Sequence, residues 1–278
     1  MSYLLEPLQY AFMVRALLAS VIVGVLCAVM GTYVVLRGMA FLGDALAHAI
    51  LPGVAVAYLL HGNLLIGAIV AALVIALSIG LFSKQGTIKE DTAIGILFAA
   101  ALALGVALIS SIQTYAVDLS HILFGNVLGV SPLDLQLTAG LGLLILLAVW
   151  VLYKPFLIIS FDPILAATLR LPADLLRYVL LMLLALTVVV SLQTVGVGLA
   201  AAMLVTPAAT AYLLTRRLAP MMMLSATLGA LASVVGLYLS YYLNIVSGSA
   251  IVLTATGFFL LAYIFNPRQG VFRRRLTA

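Results

Sequence analysis

Asp44 and His48 stand four residues apart in a stretch, residues 41–53, otherwise built of apolar residues, glycine and proline. Residues at i and i+4 of a helix share a face, so this spacing brings a carboxylate and an imidazole together. The pair suits Mn²⁺, Zn²⁺ or Fe²⁺. Pro52 adds a third polar group. It has no N–H, so the carbonyl of His48 loses its helical partner, and a side chain and a carbonyl are offered to one path. A plainer reading is that Asp44 and His48 hydrogen-bond each other and pin a kink. Burying a carboxylate in an apolar segment is costly without a use, which favours the cation site. The same two groups would also serve as a proton relay in an ion-coupled secondary transporter. As the acid and base of an intramembrane enzyme they would need more polar neighbours than this sequence offers.

Other polar residues carry less. His61 precedes Gly62-Asn63 and reads as an external turn residue. His121, in the external segment 113–134, reads as a solvated or locally hydrogen-bonded residue, the alternative being a further metal candidate that lines an outer vestibule. Gln193, Thr194 and residues 196–198 mark a bend, and Pro207 interrupts the segment beyond it, freeing the carbonyl of Met203. Discontinuous helices mark transport sites and also occur as ordinary kinks. Residues 154–177 form an inner loop. Asp162 is a good N-cap, Pro163 a good first residue and Pro172 a stop, which predicts a short helix over about 163–171. Its apolar Ile164, Leu165 and Leu169 fit either docking on a partner or lying at the membrane surface. The sequence has no GxxxxGK[ST] loop, HExxH or CxxC. The chain is therefore not read as an enzyme, and any energy must come from an ion gradient or a separate ATPase subunit.

The elements that position these residues follow from composition. Of 278 residues, 66% are hydrophobic and 8% charged, and the mean hydropathy is +1.32. Soluble domains are nearer 25% charged, so a cytosolic enzyme is excluded, as are disorder and a collagen. The single cysteine, Cys27, excludes an intrachain disulfide. A net charge of +5 is too sparse and too distributed for nucleic acid and reads as topology. Runs long enough to span a bilayer cover 13–36, 64–82, 92–112, 135–153, 220–242 and 249–266. Residues 39–60 hold one more span and 178–214 two short ones, bent near 193–198. Lys and Arg collect on the cytoplasmic side, and all but Arg15 of the 13 can lie there together. The result is an all-α polytopic bundle of nine spans in one domain, 1–278, with an external N-terminus and a cytoplasmic C-terminus. A re-entrant element in 178–214 would make it eight. The first apolar run is too long for a cleavable signal. A stripe of Gly24, Ala28 and Thr32 suits close helix packing. With Arg37 at the inner boundary, Asp44 lies roughly 10 Å and His48 roughly 16 Å deeper, near the middle of a core about 30 Å thick.

The run from Phe41 to Gly53, with Asp44, His48 and Pro52, resembles the signature of membrane permeases in bacterial zinc/manganese/iron-type ABC importers. Matching pieces recur in order along nearly the whole chain: Phe12-Met13-Val14-Arg15, Lys89-Glu90-Asp91-Thr92, Leu123-Phe124-Gly125-Asn126, Phe161-Asp162-Pro163, Gln193-Thr194-Val195-Gly196 and Thr206-Pro207-Ala208-Ala209. The resemblance implies a type II-like importer permease, homodimeric, seated on two cytoplasmic ABC ATPase subunits and fed by an extracytoplasmic metal-binding protein. It implies a cytoplasmic membrane location in contact with lipid. It also implies a transported divalent metal and no permanent cofactor. The family's cation site falls on Asp44 and His48 and its coupling loop on 161–171. Two ligand side chains are few for a metal held by four to six, and two chains meeting at a dimer axis would supply four. Leu51-Pro52-Gly53 looks more like the manganese branch, with Zn²⁺ and Fe²⁺ as alternatives. Arg170 and Leu171 stand where the family pattern has a glycine-bearing helix end.

Overall fold

The computed structural model describes residues 6–84, 88–111, 127–161, 163–215 and 217–266. All regular structure among them is helical. The helices are α1 (Ala11–Leu36), α2 (Leu42–Ala49), α3 (Leu51–Leu59), α4 (Leu64–Ser83), α5 (Glu90–Ser110) and α6 (Pro132–Val151). They continue with α7 (Tyr153–Phe161), α8 (Pro163–Thr168), α9 (Ala173–Val195), α10 (Val197–Leu214), α11 (Leu218–Leu243) and α12 (Ser247–Ile264). Helices satisfy their own backbone polar groups, which lipid cannot do. Among the described residues, 9 helical segments are long and apolar enough to cross a membrane, with α2 and α3 together forming one.

The pair expected in 178–214 is two full spans. α9 and α10 meet at Gly196, whose φ of +83° turns the chain between them. Pro207 lies inside α10 without ending it. The expected interruption is absent because a membrane helix tolerates proline where neighbours and nearby hydroxyls re-satisfy the freed backbone groups.

α9 is the most buried span, followed equally by α1 and the α2–α3 span. α1 packs against α11, α10, α6 and α9, and α9 also packs against α4. The small-residue stripe of α1 is its seam with α11. A Cβ on Gly24 would come within 2.9 Å of the Gly229 carbonyl oxygen, and one on Gly229 within 2.5 Å of that of Gly24. Ser225 Oγ donates to the Ala28 carbonyl at 2.8 Å, and Ser233 Oγ to that of Ser20 at 2.9 Å. Without a hydrophobic force between helices in lipid, such close packing and polar bridges hold the bundle. α2 and α3 sit among α4, α5, α9 and α10.

Four helix ends share one device, one of them after α11, where Asn244 takes φ +53° and Ile245 N–H donates to the Ser240 carbonyl at 3.3 Å. After α1, Met39 N–H donates to the Val34 carbonyl at 2.9 Å and Gly38 N–H to that of Val35 at 3.2 Å, with Gly38 at φ +69°. This is a Schellman end. After α3, His61 takes the left-handed position at φ +51°, so it is the exposed turn residue expected. After α8, Arg170 takes it at φ +52°, and Leu171 N–H donates to the Ala166 carbonyl at 3.0 Å. α8 thus stops at Thr168 rather than at 171, and an arginine holds the backbone conformation that glycine adopts most readily.

Candidate metal site

α2 is only 8 residues long. Asp44 lies in its first turn and His48 in its last, an order that suits the helix dipole. Gly43, Leu46 and Ala47 face inward. A Cβ on Gly43 would lie 2.8 Å from Leu204 Cδ2, so α2 is seated closely on α10. The other face carries Phe41, Asp44 and His48. The Asp44 and His48 side chains are 45% and 31% exposed on this single chain.

His48 Nδ1 lies 3.0 Å from the backbone carbonyl oxygen of Asp44 and 3.7 Å from its carboxylate Oδ1. A carbonyl only accepts, so Nδ1 carries the proton, and Nε2 keeps its lone pair for a metal. The ring stands edge-on to Phe98 of α5 at 5.9 Å between centroids, and Phe98 meets Phe41 edge-on at 5.5 Å. Pro52 is in the first turn of α3, and the helix is interrupted at Ile50, where loss of the N–H bonding to His48 O weakens it. The ladder resumes with Val54 N–H donating to Ile50 O at 3.1 Å.

The path from Arg37 to the pair differs from the straight helix expected. The estimates of roughly 10 and 16 Å assume a helix rising straight from Arg37, whereas residues 37–41 form a turn and α2 starts at Leu42. α5 supplies a better ruler. Glu90, paired with Arg37, begins it, and Phe98, beside His48, is eight residues on, or about 12 Å. Asp44, one turn nearer the Arg37 end, lies at about 6 Å.

Among the described residues, no group of three or more His, Cys, Asp or Glu is placed to hold a metal. Asp44 and His48 offer two side chains, too few to hold a metal by themselves. The remaining candidates lie elsewhere. His121 and Asp162 fall outside the described residues, as does the side chain of Pro163. Gln193 is exposed, and its Nε2 donates to Asp134 Oδ1 at 3.0 Å. Asp134 also closes a capping box with Ser131 at the start of α6. Gln193 is sixteen residues beyond Arg177 on α9, about 24 Å from the Arg37 end, so it is not beside His48. Ile164, Leu165 and Leu169 are exposed at 78%, 44% and 53%.

One cluster at the Arg37 end has no counterpart in the sequence reading. Glu90 Oε1 accepts from Arg37 Nη2 at 3.0 Å and from Arg177 Nε at 2.5 Å. Arg177 also donates to the side chain and the carbonyl of Ser83. Lys84 pairs with Asp174 at 3.2 Å. Burial pushes the Arg37 guanidinium below its ordinary pKa, with Glu90 opposing that shift and Arg177 adding to it. The signal available was a carboxylate, Glu90, opening a helix. Its partners lie 53 and 87 residues away, which no local pattern reveals.

Residues 9–266 match the model of the ABC 3 transport family. The chain belongs to that family. This ABC 3 family chain is 48% identical over 269 residues to the manganese transport system membrane protein MntC of Halalkalibacterium halodurans, covering 97% of this chain and 92% of that one. It is 46% identical to the manganese import system permease protein ScaB of Streptococcus parasanguinis, covering 94% and 93%. Its fold matches a chain in the structure of PsaBC from Streptococcus pneumoniae in complex with Fab, with a TM-score of 0.85, 44% identity and 98% of each chain covered. The resemblance to metal ABC importer permeases and the all-α nine-span architecture hold. The relatives named are membrane and permease proteins, in keeping with a chain that has no nucleotide cradle of its own.

Proposed function

We propose that this chain is the permease of an ATP-driven importer of divalent transition metals, with Mn²⁺ as its substrate. In this reading two copies face each other across α2, and their Asp44 and His48 side chains form one four-ligand site. The observation that carries it is the pair itself. The Asp44 carboxylate and a His48 ring with Nδ1 tied to the backbone are presented together on an exposed face of an apolar candidate span, with no further ligand cluster among the described residues. A carboxylate in hydrocarbon is costly, and a second copy bringing the metal offsets that cost. The manganese relatives support Mn²⁺. A chelated iron relative, YfeD of Yersinia pestis at 39% identity, keeps Fe²⁺ within the substrate class.

The Arg37 end is cytoplasmic in this reading, since among the described residues every Lys and Arg except Arg15 lies there. The exposed apolar residues of α8 then face the cytoplasm and dock onto two ATPase subunits. The opposite end receives metal from an extracytoplasmic binding protein, and the C-terminus is cytoplasmic.

The test is Mn²⁺ uptake and binding by the reconstituted complex. Wild type should bind one Mn²⁺ per two permease chains and import it only with ATP. Asp44→Ala and His48→Ala should each lose uptake at normal expression. Unchanged uptake in both variants would refute the site, and uptake without ATP would favour the ion-coupled secondary transporter.

A further inference from the structure

α2, which carries Asp44 and His48, hangs from α1 by the turn at residues 37–41 and is tethered to α5 at two levels. At the lower level Arg37, the last residue before the turn, bonds Glu90, the first residue of α5. Two turns higher, Phe98 of the same helix braces both Phe41 and the His48 ring. The same Glu90 oxygen accepts from Arg177 of α9, which also grips Ser83 at the end of α4. One carboxylate therefore ties the end of α1 and the start of α9 to the start of α5 and, through Arg177, to the end of α4.

The charge balance makes Glu90 hard to replace. The Arg37, Arg177 and Glu90 side chains are only 13%, 19% and 18% exposed. Arg177 has a second anchor in Ser83. Among the described residues Arg37 has none of that kind, and its Nη1 is buried without a hydrogen-bond partner there. Removing the carboxylate leaves two poorly hydrated like charges facing one another, which is strongly unfavourable. The strain falls on the Arg37 turn and on the start of α5, the two elements that aim His48.

We infer that Glu90 is a positioning residue for metal, acting on the Asp44/His48 site through Arg37 and Phe98. The inference rests on the reading of Asp44 and His48 as metal ligands. Outer groups that orient ligands typically change metal affinity by about 10–100-fold.

The experiment uses the whole importer, permease with ATPase, in proteoliposomes, comparing wild type, Glu90→Gln, Glu90→Asp, Arg37→Lys and His48→Ala. KM and Vmax for Mn²⁺ uptake are measured per folded transporter, and the ¹⁴N coupling to bound Mn²⁺ is read by pulsed EPR. Glu90→Gln should raise KM about tenfold or more. It should weaken the ¹⁴N coupling and change Vmax little, and Glu90→Asp should recover part of the loss. A purely structural Glu90 would lower yield or Vmax and leave KM and the coupling at wild-type values, and that result overturns the inference. If Glu90→Gln does not assemble, Arg37→Lys, which keeps the charge, decides. A raised KM supports the positioning role and an unchanged KM overturns it. His48→Ala separates the two claims. Wild-type KM and coupling in that variant refute the metal site itself, whereas their loss beside a normal Glu90→Gln refutes only the role of Glu90.

Discussion

Leu204 of α10 is wedged between two glycines, Gly31 of α1 and Gly43 of α2, and substitution of each should give a different result. A Cβ on Gly31 would stand 1.7 Å from the Leu204 carbonyl oxygen. Real Cβ contacts essentially never fall below 3.0 Å, so α1 and α10 must separate by at least about 1.3 Å. The obstacle is backbone, so no rotamer change relieves it. Gly31→Ala should cost about 3 kcal/mol or more, the upper end of overpacking effects. In a chain of this size that lowers the melting temperature by roughly 6–12 °C. A Cβ on Gly43 would meet Leu204 Cδ2 at 2.8 Å, the flexible end of a side chain, and the next atom is Ala201 Cα at 3.7 Å. A shift of about 0.2 Å suffices, and alanine is the better helix former, so Gly43→Ala should stay within about 1 kcal/mol of wild type. The assay is size-exclusion of detergent-solubilised protein after a temperature ramp, with Mn²⁺ uptake alongside. Gly31→Ala melting within about 2 °C of wild type, or Gly43→Ala proving the more damaging, would refute the reasoning.

Two of the left-handed helix ends make an opposed pair. Arg170→Gly should raise stability by about 1 kcal/mol by relieving the left-handed penalty, whereas Gly38→Ala, with nothing within 4 Å of its new methyl, should lower it by a similar amount through the backbone alone. Thermal melting of both variants checks the signs. Ile164→Asp should reduce Mn²⁺-stimulated ATP hydrolysis and assembly with the ATPase while leaving Mn²⁺ binding to the permease intact, measured by pull-down and by binding at equilibrium. Asp134→Ala removes the capping box of α6 and the bond from Gln193. It should cost about 1–2 kcal/mol in melting experiments yet leave the KM for Mn²⁺ unchanged.

Much of this molecule was legible because lipid allows few solutions. Any long apolar run must be a helix, and each basic cluster must mark one side, so the span count and the ends of α1, α4 and α9 follow from where Arg37, Lys84 and Arg177 stand. Asp44 and His48 were legible for the same reason, as an ionisable pair at helical spacing in an apolar segment. Their rise from Arg37 is not that of one straight helix, because Gly38 introduces a turn where helical rise was assumed. Pro207 misled in the opposite direction, since α10 runs through it as one helix, and membrane helices tolerate an internal proline more readily than a linear reading assumes.

The sequence by itself therefore determined the membrane class, the order of the spans and which two ionisable side chains stand one helical turn apart in an apolar span, because composition and local periodicity carry that information. Only the tertiary structure decided which atoms those side chains can offer. The Asp44 carbonyl sets the protonated nitrogen of His48, Phe98 sets the level of its ring, and Glu90 gathers Arg37 and Arg177 from 53 and 87 residues away. Those relations depend on helix faces meeting across the bundle, at separations of about 1.5 Å per residue along each helix and of whole spans along the chain.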